Sequence, residues 1–244
     1  MATQAVRPSP VKVPSAPRSR VFYPSIALLS AAVIFVGFAR TYYLKALFGT
    51  PSLPALLHVH GMIMTAWMLL LIVQTALVAT HRTSVHRRLG LFGGVLAIAV
   101  VVIGAVVAIH SARQGHAPTG IPALQFLTIP LIDLVVFSTL VTAGMYYRRR
   151  PELHKRLMLV ATIAILAPGI ARWPLAGVAH TPLTFFGIVD VILLGCIAYD
   201  VVKTRRLNPA YLWGGLLLIA SHPLRLMLAG TAVWMKFAHW ITGV

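Results

Sequence analysis

VHRRLGLFGGVLAIAVVVIGAVVAIH (85–110) opens on a histidine and two arginines, then runs from Leu89 to Ile109 without a charged or polar side chain. Coiled as a helix, such a run rises about 30 Å, the thickness of a bilayer's hydrocarbon core. Comparable apolar runs recur along all 244 residues. Their limits give seven spans, at 22–40, 57–80, 88–110, 123–147, 156–178, 182–202 and 210–235. Charged residues are 10% of the chain and hydrophobic ones 59%, where soluble domains carry about 25% charge. The expected fold class is therefore all-α: a polytopic membrane bundle of about seven helices forming one domain over 21–244. Residues 1–20, with four cations, no acid and many Pro, Ser and Ala, are expected to be a disordered basic tail.

The net charge of +17 has a topological explanation. With the N-terminus placed in the cytoplasm, fifteen Lys and Arg fall inside and four outside, leaving Arg172 and Arg225 within spans. That excess orients the chain N-in and C-out and makes nucleic acid an unneeded partner. The lipid bilayer is the expected environment, in a bacterial inner membrane crossed many times. A second subunit of a membrane complex, or another copy of the chain, is a further expected partner. Tyr42, Tyr43, Trp234 and Trp240 are expected to form the outer aromatic belt, and Tyr146, Tyr147 and Tyr211 the inner one. Pro130, Pro168 and Pro223 should each kink a helix or free a carbonyl. The single cysteine, Cys196, offers neither a disulfide nor a haem-attachment motif.

The opening motif has a counterpart. LHKRLM (153–158) also puts a histidine and two cations at the mouth of a span, and each histidine follows an arginine by four residues. His86 and His154 thus start two parallel helices at similar depth. The His86 face continues through Gly90, Gly93, Ala97 and Gly104, nearly all small. The His154 face carries Met158, Ala161, Ile165, Pro168 and, five turns on, Arg172. Small faces admit close helix packing and interfacial cations hold lipid phosphates. The same features would suit a flat cofactor ligated by two neutral imidazoles, with cations beside it for propionates. In the second span His60, Met64, Trp67, Leu71 and Gln74 share one face, and His58 lies about 200° away from it. His60 is the candidate ligand of a second, outer site, with Met64 as a soft neighbour.

Ionisable groups inside spans cost several kcal/mol when isolated (about 2.5–3.5 on insertion scales). Asp133, Asp190, His222 and Arg225 therefore form an expected intramembrane polar cluster, with Arg225 paired to Asp133 or Asp190. It reads as a structural latch, a proton path or a substrate site.

These residues also carry a resemblance. The sequence His60, Gln74, His86-Arg87-Arg88-Leu89-Gly90, His154-Lys155-Arg156-Leu157-Met158 and Arg172 resembles an uncharacterised family of bacterial membrane proteins, over roughly 58–172. More distantly it is similar to b-type cytochromes of the ferric-reductase and ascorbate-reducing kind, which hold haem between histidines in a four-helix core. That resemblance implies haem b, with His86 and His154 as metal ligands, His60 near a second site, and Arg172 lining the cofactor. It implies electron transfer or redox sensing. Departures are that both histidines sit at the very start of their helices and that no partner for His60 stands out among His110, His180 and His222. Two other functions fit the residues: a proton-coupled or small-molecule transporter using Asp133, Asp190, His222 and Arg225, and a structural or assembly subunit. No hydrolase nucleophile elbow, P-loop or metalloprotease helix is present.

Overall fold

The computed structural model describes residues 19–117, 120–174 and 181–244. The expected tail (residues 1–18 of it), the last four residues of the expected fifth span and His180 lie outside the described residues. Seven helices are long and apolar enough to cross a membrane, at 20–43, 55–79, 83–113, 123–146, 151–170, 182–204 and 209–229. The chain is a multi-pass, all-helical membrane protein.

The elements are α1 (Ser19–Phe38), continued by a π-helical turn (Ala39–Tyr43), α2 (Ala55–Ala79), α3 (Thr83–Arg113), α4 (Ala123–Phe126), α5 (Thr128–Tyr146), α6 (Pro151–Ala164), α7 (Ala167–Ile170), α8 (Pro182–Thr204), α9 (Pro209–Ala229) and α10 (Ala232–Thr242). Their starts are chemically marked. Pro151, Pro182 and Pro209 occupy first helical positions, where no N–H is required. Thr181, Asn208 and Thr231 cap α8, α9 and α10 by accepting from the N–H of Thr184, Ala210 and Trp234.

Two antiparallel hairpins, α2–α3 and α5–α6, meet through α3 and α5. α9 closes over α5 and α6, while α1 packs along α2 and α7. The axis of the bundle is α6: 72% of its span is buried, against 11% for α2. From Leu157 to Leu166 every residue except Met158 is buried, so lipid reaches α6 hardly at all. The turns α2–α3, α5–α6 and α8–α9 gather at one end, here the basic end, because they carry most of the loop arginines.

The prolines act unequally. Pro168 cannot donate to the carbonyl one turn back, and the fifth span breaks at Ile165 before the short α7 resumes it. Pro130 sits in the first turn of α5, where a missing donor costs little, and the break falls before it at Leu127. Pro223 stays inside an unbroken α9. The seventh span ends at Ala229, earlier than the expected 235, because Gly230 stops α9 and Thr231 caps a separate helix. Two belt assignments are corrected. Tyr211 is buried beside Arg156. Trp234 is also buried, donating its indole N–H to the Leu124 carbonyl at 2.8 Å.

Helices α1 and α7 touch backbone to backbone. A Cβ on Gly37 would stand 2.1 Å from the Gly169 carbonyl oxygen. Gly37→Ala is expected to push the helices apart and cost roughly 1–3 kcal/mol, read as a lower midpoint in thermal or SDS unfolding. Gly187→Ala, which meets nothing within 4 Å, should leave that midpoint within about 0.5 kcal/mol of the parent.

Candidate functional site

At the basic end the first turns of α3 and α6 bring His86 and His154 together. Their ring centroids are 6.1 Å apart and their planes lie at 80°. Both are half-buried. His154 Nδ1 lies 2.8 Å from the Gly144 carbonyl of α5, to which it donates. That bond fixes the tautomer and leaves the Nε2 lone pair free. His86 is held from α2. With its amide nitrogen turned toward the imidazole, Gln74 donates to His86 Nδ1 (2.5 Å) and to the His86 carbonyl (3.2 Å), and its oxygen accepts from the Gly90 N–H (3.0 Å). Four helices thus contribute one polar group each: Gln74, His86, Gly144 and His154.

The small face above His86 is spent on packing. The hollow at Gly93 holds Leu70 of α2, and that at Gly104 holds Leu134 of α5, at 3.1 and 2.9 Å from a Cβ added at each glycine. Close helix approach accounts for those positions, and a flat group cannot lie along the whole face.

From Gln74 the inward stripe of α2 climbs to Trp67, whose indole donates to Thr162 Oγ1 of α6 (3.3 Å) and meets Phe137 of α5 edge-on at 4.9 Å. Two turns further is His60, about 21 Å from Gln74 by helical rise. His60 lies within electrostatic reach of Arg172, and its buried Nδ1 has no hydrogen-bond partner among the described residues. Arg172 donates to the Pro168 carbonyl at 2.7 Å and covers the Phe38 ring at 4.7 Å. The expected cofactor residues therefore split into two pairs at opposite ends, His86 with His154 and His60 with Arg172. His58 stands apart and exposed, its carbonyl accepting from Tyr42.

The intramembrane cluster assembles from α5, α8 and α9. Arg225, fully buried, donates to Asp133 Oδ1, to the Ser221 hydroxyl (2.7 Å) and to the Ser221 carbonyl (3.1 Å). Asp190 takes the other partner, His222, whose Nδ1 lies 3.2 Å from its carboxylate. The Phe186 ring joins the two pairs. His222 stacks on it at 4.3 Å and 10°, and the Arg225 guanidinium lies 4.8 Å from its centroid. Arg225 is one turn from the end of α9, yet it turns inward to Asp133 instead of out to the interface.

Sequence reasoning missed a third cluster. Arg156 Nη2 and Nε reach Asp200 of α8 at 2.5 and 3.1 Å, and its Nη1 meets the Glu152 carboxylate at 2.5 Å. Lys155 pairs with the same Glu152 at 2.7 Å. Arg156 is thereby occupied and does not serve a cofactor beside His154. The signal lay in helical geometry, since residue i+2 stands about 200° round from the histidine.

Removing one partner of a buried pair strands the other charge. Asp133→Asn is expected to cost about 3–5 kcal/mol in reversible SDS unfolding, and Arg156→Ala a comparable amount. Glu152→Gln, at an exposed carboxylate, should cost under about 1 kcal/mol. No family model, curated protein or solved structure matches this chain, so its chemistry is read from these clusters.

Proposed function

We propose that this membrane protein binds b-type haem at its basic end, with His86 and His154 as the two axial ligands, and serves electron transfer or redox sensing. The imidazole pair carries the reading. Two imidazoles bound to opposite sides of one metal through nitrogens at about 2 Å place their ring centroids about 6 Å apart. The centroids of His86 and His154 are 6.1 Å apart.

The donor count favours a macrocycle over a bare ion. Among the described residues no third His, Cys, Asp or Glu joins the pair to form a metal-holding group. Zinc sites made by protein alone use three ligands at a catalytic centre and four at a structural one. A tetrapyrrole brings its own equatorial nitrogens and asks the protein only for axial ones.

The fit is ready at His154, whose Nδ1–H is held by a carbonyl as metal-bound imidazoles commonly are. At His86 the Gln74 amide would turn over to accept from Nδ1–H, freeing Nε2. Arg87 and Arg88, both exposed beside His86, supply cations for propionates. The bed is tighter than the ligand pair. Leu70 and Leu134 already fill the hollows of Gly93 and Gly104, so the group would sit near Gly90 and Gly144 and move side chains there. When bound, iron supplies one-electron chemistry; the protein's part is to hold two imidazoles in register and screen them from water.

The test is an absorption spectrum of protein purified after haem-supplemented expression, oxidised and then dithionite-reduced. A Soret band with the sharp reduced bands of six-coordinate haem is expected. His86→Ala and His154→Ala should each abolish the six-coordinate signature while helicity by circular dichroism is kept. A parent protein without any Soret band sinks the proposal.

A further inference from the structure

We infer that Asp133, Arg225, His222 and Asp190 form a proton-binding site inside the membrane domain, with one exchangeable proton held between Asp190 and His222. The inference is independent of haem, because the cluster lies in the other half of the bundle.

Charge counting is the first support. The cluster holds two carboxylates and one guanidinium, so with neutral His222 it carries one net negative charge. A net charge away from water is costly. Uptake of one proton from water brings the cluster to neutrality, and its return to water restores the charge.

The hydrogen bonds decide where that proton goes. Arg225 is committed to Asp133 and Ser221, which neutralises Asp133. Asp190 is left with His222 Nδ1 as its partner; Asp190 Oδ1, like Asp133 Oδ2, is buried with no hydrogen bond among the described residues, but Asp133 already faces a guanidinium. Imidazolium against carboxylate, or imidazole against carboxylic acid, gives the pair one proton to share. Phe186, stacked on His222, favours a cationic ring.

Among the described residues the surroundings supply no competing charge. The charges acting on His222 are those of Asp190 and Arg225, and Arg225 is the one acting on Asp133. α4 and α7 contain no titratable side chain, and Lys236 and His239 of α10 are exposed. The titratable side chains of α6, Glu152, His154, Lys155 and Arg156, lie in its first turns at the basic end. Access differs within the cluster. The Asp190 side chain is 25% exposed, against 7% for His222, 6% for Asp133 and none for Arg225. Asp190 is thus the least enclosed member of the cluster.

The experiment is a pH titration of the full chain in lipid vesicles. Nitrogen-15 histidine NMR, with His222→Gln to assign the signal, reads the ring. Infrared difference spectra read any protonated carboxyl. Between about pH 5 and 8, one protonation event is expected on His222 or on the Asp190 carboxyl. In Asp190→Asn the carboxyl band should vanish and His222 should bind its proton at least tenfold more weakly. A parent protein in which neither group titrates over that range overturns the inference. So does an Asn variant whose His222 midpoint is unmoved. Should that variant fail to fold, the parent titration alone decides.

Discussion

The contact between Arg225 and Asp133 constrains the rest of the bundle. A guanidinium with no exposed surface cannot stay on α9 unless α5 presents a carboxylate at the same depth. That requirement fixes the rotation and the height of α9 on α5. Arg156 imposes a similar constraint at the other end, where it ties α6 to Asp200 of α8. Four helices are thus pinned by ion pairs near both ends, and the middle of α6 is left apolar and enclosed. Lipid supplies no hydrophobic force between helices, so the pins do what burial does in a soluble core: they select one arrangement of otherwise interchangeable apolar cylinders.

The α2–α3 hairpin lies outside those pins and is held by weaker means. Leu70 enters the hollow of Gly93, Leu134 that of Gly104, and Trp67 bonds to Thr162. Gln74 then joins the end of α2 to the start of α3 through His86. The half of the bundle carrying His86 is therefore less enclosed than the half around α6, and α2 is its most lipid-exposed span. A ligand pair spanning the two halves, one histidine on each, can admit a group that neither half could take alone.

Much of this was legible in the sequence. The seven spans follow from the length of apolar runs, and the meeting of His86 with His154 from their equal place at the mouths of parallel helices. The choice of Asp133 over Asp190 for Arg225 was not legible, because it depends on which neighbour α9 packs against. The inward turn of Arg156 was hidden by its company: in a run of loop cations, topology already accounts for each charge, and only azimuth separates the one that points into the core. The Tyr211 and Trp234 assignments failed for a related reason. Aromatics near a span end suit the interface in general, yet a bundle this short of polar atoms also uses them to cap carbonyls and cover guanidinium groups. Helix α10 was concealed by hydropathy running on past Ala229, although Gly230 and Thr231 together spell a stop and a cap.

The chain sets its histidines in two different environments, and the group facing Nδ1 separates them. At the basic end the partners are a backbone carbonyl and a carboxamide, which set a tautomer and an orientation without calling for a charge. His154 so held keeps its Nε2 lone pair, which is what a metal needs, and His86 offers one once the Gln74 amide turns over. In the far half the partner is the Asp190 carboxylate, whose Oδ1 is buried without a hydrogen bond among the described residues, so the imidazole there faces a group that can share its proton. The two environments lie in different helix pairs, one at the basic end and one within the spans. The proposed ligand chemistry at His86 and His154 and the proposed proton chemistry at His222 are therefore separable by substitution, and each can be altered while the ion pairs that pin the bundle stay in place.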